Sequence, residues 1–130
     1  MKILLMRSDR PKAELYLYND QRELGRLIWQ ADRRLAETIH VSISQLCAGA
    51  DLAMTDIEAI GVFAGPGSFT GLRIGHSVAN ALAYALDLPI VATAGEHWQK
   101  AAIKALLDGQ NQKLVAPSYG QPVHITKPKK

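Results

Sequence analysis

The order of apolar and polar positions divides this chain into short extended runs followed by longer helical stripes. Residues 2–6 (Lys-Ile-Leu-Leu-Met) are nearly continuous in apolar character, as in a buried strand. Leu15 and Leu17 then alternate with Glu14, Tyr16 and Tyr18 at the period-2 spacing of a strand. Asn19-Asp20 supplies a turn and residues 23–30 return in extended form, which predicts a hairpin. From 34 to 48 the period changes. Leu35, Ile39, Ile43, Leu46 and Cys47 share one helical stripe that Gly49 ends. A turn at Thr55-Asp56 leads to a strand over 58–64, a helix from Thr70 to Leu86 stopped before Pro89, and a strand at Ile90–Thr93. A last helix runs from Glu96 to Leu107 and is broken by Asp108-Gly109-Gln110-Asn111-Gln112. The order β-β-β-α-β-α-β-α predicts an α/β lobe: a mixed five-stranded sheet with helices on its faces, closer to a ribonuclease-H-like domain than to a doubly wound sheet. A single domain over 1–112 followed by an extended basic tail over 113–130 is expected.

The join between the fourth strand and second helix stands apart. Gly61-Val62-Phe63-Ala64-Gly65-Pro66-Gly67-Ser68-Phe69-Thr70-Gly71-Leu72-Arg73-Ile74-Gly75 holds five glycines in fifteen residues. That density means that something approaches the backbone closely. On a helical wheel Ile74, Val78, Leu82 and Ala85 make the heavy apolar stripe expected to lie on the sheet. Arg73, His76, Ser77, Asn80, Tyr84 and Asp87 make a polar face, and Gly71, Gly75, Ala79 and Ala83 a stripe of small residues between them. Such a stripe suits close packing, either against a helix of the same domain or against a partner chain.

Composition narrows the classes available. With 48% hydrophobic residues in 130, the chain can bury one core. No segment has the apolar length of a membrane span, and the start is too short for a signal peptide, so a cytoplasmic location is expected. One cysteine, Cys47, excludes an internal disulfide. The net charge of +3 equals the contribution of Lys127, Lys129 and Lys130; without them 12 basic residues face 12 acidic ones. A tail of this kind binds nucleic acid weakly or is simply solvated.

Catalytic patterns are not found. The glycine turn can cradle an anion at a helix N-terminus, yet no lysine follows it as in a Walker loop. Gly65, Gly67 and Gly71, with Glu96 after the next strand, form only a loose dinucleotide fingerprint, and the antiparallel hairpin is wrong for that fold. Ser68 lacks the flanking residues of a nucleophile elbow. His40, His76, His97 and His124 fall on four segments with no i, i+4 pair among them. Cys47 belongs to a buried stripe, and Asp9 and Asp32 would hold Mg²⁺ only if the fold joined them. No catalytic residue, metal or cofactor is assigned.

Gly65-Pro66-Gly67-Ser68-Phe69-Thr70-Gly71-Leu72-Arg73-Ile74-Gly75 resembles the signature of the TsaB (YeaZ) family of tRNA threonylcarbamoyladenosine biosynthesis proteins. Residues 55–62 and Leu88-Pro89-Ile90-Val91 are similar to the same family. The resemblance implies the actin-like ATPase superfamily fold, built from ribonuclease-H-like lobes. It implies a non-catalytic subunit that pairs with the TsaD catalytic subunit, joined by the TsaE ATPase, in making N6-threonylcarbamoyladenosine at position 37 of tRNA. Contact with tRNA is then indirect. The partner-binding surface implied comprises Gly65, Pro66, Gly67, Ser68, Phe69, Thr70, Gly71, Arg73, Gly75, His76, Ala79 and Ala83. Two departures stand out: Met6-Arg7-Ser8 replaces the family's Asp-Thr strand end, and only one lobe is present where the family has two. A homodimer through the same helices, and a nucleotide-binding enzyme of the actin-like class, are the alternatives.

Overall fold

The computed structural model describes residues 1–118. Strands β1 (Lys2–Arg7), β2 (Lys12–Asn19) and β3 (Arg22–Gln30) are followed by helix α1 (Leu35–Gly49), strand β4 (Ala59–Phe63), helix α2 (Phe69–Leu86), strand β5 (Ile90–Thr93) and helix α3 (Trp98–Leu107). The sheet order is β3-β2-β1-β4-β5. The first three strands pair antiparallel, while β1, β4 and β5 pair parallel, so the sheet is mixed as the element order predicts.

Alternation along the strands separates two cores. Leu4 and Met6 of β1 and Leu15 and Leu17 of β2 face α1 and α2, where Ile39, Ile43, Ala79 and Ala83 meet them. Ile3, Leu5 and Tyr16 face the other way, toward Trp98, Ala102 and Leu106 of α3. Trp98 anchors that side through edge-on contacts with Tyr16 and Phe63. Burying each such side chain contributes roughly 1.5–3 kcal/mol.

Helix α2 is rotated relative to the wheel reading. Leu72, Gly75, His76, Ala79 and Ala83 are its buried residues. Ile74, Val78 and Leu82 are half-buried on the flank and Ala85 is exposed. At Gly71 and Gly75 the chain just after β1 passes so close beneath the helix that Ser8 leaves no room for a Cβ. This corrects the expectation for Gly75, His76, Ala79 and Ala83 as surface residues: they are sealed inside the lobe.

The tail boundary also shifts. Over 111–118 the chain lies on the lobe and covers the free edge of β5. Ile90 donates its N–H to Asn111 Oδ1 (3.1 Å) and accepts from the Gln112 N–H (2.8 Å), and Ala92 donates to Gln112 Oε1 (3.1 Å). Val115 is buried and exchanges two 3.0 Å hydrogen bonds with the Asn80 side chain. Ser118 donates its N–H to the Ala64 carbonyl (2.7 Å). Asn111 and Gln112 thus satisfy the β5 edge, and Val115 and Ser118 tie 113–118 to the lobe. Lys127, Lys129, Lys130 and His124 lie outside the described residues.

Candidate functional site

The glycine turn and the end of β1 hold one another. Ser8 donates its hydroxyl to the Gly71 carbonyl (2.7 Å), and Ser68 donates its N–H to the Asp9 carbonyl (3.0 Å). A Cβ on Gly71 would strike the Ser8 carbonyl, and one on Gly75 would strike the Ser8 side chain. The close approach that the glycines imply is therefore made within the lobe, by Ser8 and Asp9 just after β1 at Gly67, Gly71 and Gly75 and by the Ser118 carbonyl at Gly65.

Arg7 and Asp9 complete this corner. Arg7 donates from Nε to Asp9 Oδ1 (2.7 Å) and from Nη2 to Oδ2 (3.2 Å), a two-pronged pair. Asp9 is only 6% exposed, and the guanidinium lies 3.8 Å from the centre of the Phe63 ring. The carboxylate is thus committed to an internal cation. Asp32 stands on another wall of the adjoining cleft, about 650 Å³ in volume and also lined by Ser8 and Thr70. Two of the arginines lining this cleft are paired, Arg10 with Glu14 (2.7 Å) and Arg34 with Glu37 (3.0 Å), while Arg33 has no ion pair among the described residues. Among the described residues, no group of three or more His, Cys, Asp or Glu side chains is placed to hold a metal ion.

His76 is 2% exposed. Its Nδ1 lies 2.8 Å from the Leu72 carbonyl, which only accepts, so Nδ1 carries a proton; Nε2 has no partner. Burial holds its pKa below the ordinary 6.5, outweighing the backbone hydrogen bond. Just below that ordinary value the unfolded chain binds a proton that the native lobe refuses. Stability accordingly falls as pH drops from about 6.5 toward the native pKa, by at most about 1.4 kcal/mol per pH unit. Chemical denaturation between pH 7 and 5 should show this slope, and His76→Phe should remove its share; an unchanged slope in the variant would exclude His76 as the cause. Cys47 is buried, and burial pushes its thiol up, as in a core cysteine.

The outer side of the helical layer is different. Pro66, Gly67, Ser68, Phe69, Thr70 and Arg73 are exposed, Gly71 is half-buried and Gly65 buried. Tyr84 is 91% exposed, Val41 of α1 57% and Phe69 54%. Between α1 and α2 runs a groove of about 380 Å³, floored by Ala36, Ile74 and Val78 and rimmed by His40, Arg73 and Ser77. His97 and Glu96 are exposed on a separate part of the lobe. The sequence reading missed Ser8, Asp9, Val41 and His40 as parts of these arrangements. The small-residue spacing at 71 and 75 signals a close neighbour but does not say which one.

Three antiparallel strands continuing into parallel strands with helices on both faces define an α/β lobe of the actin-like class. Residues 29–119 match the family model described as "TsaD: tRNA N6-adenosine threonylcarbamoyltransferase". The chain belongs to this TsaB/YeaZ–TsaD family. It is 36% identical over 61 residues to the tRNA threonylcarbamoyladenosine biosynthesis protein TsaB of Haemophilus influenzae, a stretch covering 47% of this chain and 26% of that one. It is 44% identical over 61 residues to the tRNA N6-adenosine threonylcarbamoyltransferase of Geotalea daltonii, covering 47% and 18%. Among solved structures it is similar to YeaZ from Pseudomonas aeruginosa, with TM-score 0.66 and 28% identity, over 72% of this chain and 43% of YeaZ. The chain therefore spans less than half the length of these relatives. No helix among the described residues is long and apolar enough to cross a membrane.

Proposed function

We propose that this lobe is a non-catalytic subunit in tRNA N6-threonylcarbamoyladenosine synthesis, pairing with a TsaD-type enzyme through the outer face of α1 and α2. The observation that carries the reading is the contrast between the two sides of those helices. Their inner side is sealed by Ser8, the Arg7–Asp9 pair and the sheet, whereas their outer side leaves Val41, Phe69 and Tyr84 more than half exposed. These side chains are spread along the two helices, with Phe69 and Tyr84 about 22 Å apart by helix rise, and each offers apolar area to a protein partner. Of the residues assigned to the surface from sequence, Pro66, Gly67, Ser68, Phe69, Thr70 and Arg73 remain available to it. A TsaE-type ATPase joins the pair, tRNA contacts it only indirectly, and the setting is cytoplasmic.

Light scattering coupled to size-exclusion chromatography, with the TsaD-type subunit of the same organism, tests this. Ser77→Arg places a long charged side chain over the groove from an exposed position. It should cut association by about a hundredfold, the scale of an interface hot spot, with circular dichroism and Tm unchanged. Normal association by the folded variant would exclude this face. The same face also suits a second copy of the chain, since isologous dimers reuse one patch; a dimer peak without the enzyme, lost on Ser77→Arg, favours that reading. The family's transferase name keeps a nucleotide-binding enzyme as the remaining alternative, which calorimetry with millimolar nucleotide decides.

A further inference from the structure

Residues 113–118 lie against the lobe as a strap, and they cross helix α2 at its buried histidine. Leu72, His76 and Asn80 follow one another at four-residue spacing on α2, so they form one line along the helix. At one end of that line the Asn80 side chain exchanges two 3.0 Å hydrogen bonds with the Val115 backbone. At the other end Ser118 donates its N–H to the Ala64 carbonyl, and a Cβ on Gly65 would press on both the Ser118 carbonyl and the Leu72 side chain. Asn80 and Leu72 are about 12 Å apart by helix rise, and three residues of extended chain reach about 10 Å. Ala116 and Pro117 therefore cross at the level of His76. The ring is 2% exposed, and among the described residues its Nε2 is the buried side-chain atom left without a hydrogen-bond partner.

We propose that the strap is a proton-operated latch: it lies closed while Nε2 is bare and lifts, with the rest of the lobe folded, when Nε2 takes up a proton. A proton there makes the ring a cation whose new donor has no acceptor, beneath a seal that excludes water. Lifting the strap hydrates that nitrogen and gives up little: Val115 is buried, but Lys113, Leu114, Ala116 and Ser118 are exposed. Uncovering His76 from the other side means separating α2 from the sheet, which unfolds the lobe. No carboxylate stands ready for the cation. Strands β4 and β5 carry no charged residue, and the Arg7–Asp9 pair is closed on itself. Arg73 of α2, Glu37 and His40 of α1, Glu96 and His97 before α3, and Lys113 of the strap are all exposed, and Cys47 of α1 is held as a neutral thiol. Burial, opposed by the Leu72 carbonyl, sets the ring's pKa below 6.5. The closed state is therefore favoured at neutral pH. The open state, with an ordinary imidazole, gains as pH falls through about 6.5 toward the lowered value.

Amide hydrogen exchange in the full chain, at about pH 7.5 and 5.5 and corrected for the intrinsic rate at each, tests this. The Val115 and Ser118 N–H groups, bonded to Asn80 and Ala64, report the strap. The Ile60 N–H, bonded to the Pro89 carbonyl (3.0 Å) on an inner strand of the sheet, reports unfolding of the whole lobe. The strap amides should be less protected than Ile60 at both values. Between them they should lose protection about tenfold, the factor by which an ordinary imidazole favours the open state over that range. His76→Phe should remove this loss. Strap protection equal to that of Ile60 would mean that the strap opens only when the lobe unfolds. Lower strap protection that is the same at both values would mean that His76 stays covered when the strap lifts. Either result on the parent chain overturns the latch, so the test stands even if His76→Phe does not fold. A folded His76→Phe protein that keeps the tenfold loss overturns it too. The readout involves no partner, and its outcome is independent of the pairing role proposed above.

Discussion

Gly71→Ala should destabilise the lobe by about 3 kcal/mol, although alanine is the better helix former. Glycine inside a helix costs roughly 0.5–1 kcal/mol relative to alanine, so propensity alone predicts a gain. The structure reverses the sign. The added methyl would strike the Ser8 carbonyl, which is backbone and moves only with β1. Pushing the strand away also breaks the 2.7 Å bond from the Ser8 hydroxyl to the Gly71 carbonyl. Overpacking of this kind costs about 1–3 kcal/mol, and the lost hydrogen bond about 1 kcal/mol more. Gly75→Ala meets the Ser8 side chain instead, so it should be rescued by Ser8→Ala or Ser8→Gly, whereas Gly71→Ala should not. Denaturant unfolding of these single and double variants measures both effects. A neutral or stabilised Gly71→Ala protein would show that β1 does not lie where the structure places it. The same reasoning explains why enlarging Gly75 does not test partner binding: the damage would be to the fold.

Arg7→Ala should cost about 3 kcal/mol or more, because it leaves the Asp9 carboxylate buried without its cation. Removing one member of a buried ion pair typically costs about 3–5 kcal/mol, while replacing both by apolar groups of similar size is often nearly neutral. Asp9 has the lesser exposure of the two, and Arg7 also covers the Phe63 ring at 3.8 Å. The expected ordering is therefore Arg7→Ala as the most damaging change and Arg7→Met with Asp9→Leu close to the parent. The double-mutant cycle isolates the pair from the stacking on Phe63. Equal stability of Arg7→Ala and the parent would mean that water, not arginine, satisfies Asp9. Because Ser68 bonds the Asp9 carbonyl, loosening this corner should also raise hydrogen exchange at the start of α2.

Much of this architecture is legible along the chain. The alternation at Leu15 and Leu17, the stripe from Leu35 to Cys47 and the apolar runs at 2–6 and 59–63 each report a face that must be buried, and periodicity records that locally. The glycine-rich signature is equally plain at 65–75. What periodicity does not record is the depth of each face. On α2 the apolar stripe Ile74, Val78 and Leu82 sits on the flank, while Leu72, His76 and the small residues Gly75, Ala79 and Ala83 are buried, which is not the weighting by hydrophobicity. His76 looks like a surface residue by type and is buried by position. Asn111 and Gln112 look like loop residues, yet their side-chain amides close the edge of β5 as a neighbouring strand would, and Val115, a tail residue by sequence, is buried and bonded to Asn80.

The sequence by itself determined the order of strands and helices, the turn at the glycine signature and the family to which that signature points, because each is written in residues close together along the chain. Only the tertiary structure decided which side of α2 is free. Contacts between Ser8 and Gly71, Arg7 and Phe63, or Asn80 and Val115 join residues 35 or more positions apart. Such contacts depend on sheet order and on the height at which a helix rides over a strand, and neither has a local pattern to reveal it. The face left over for a partner is what remains once those contacts are satisfied.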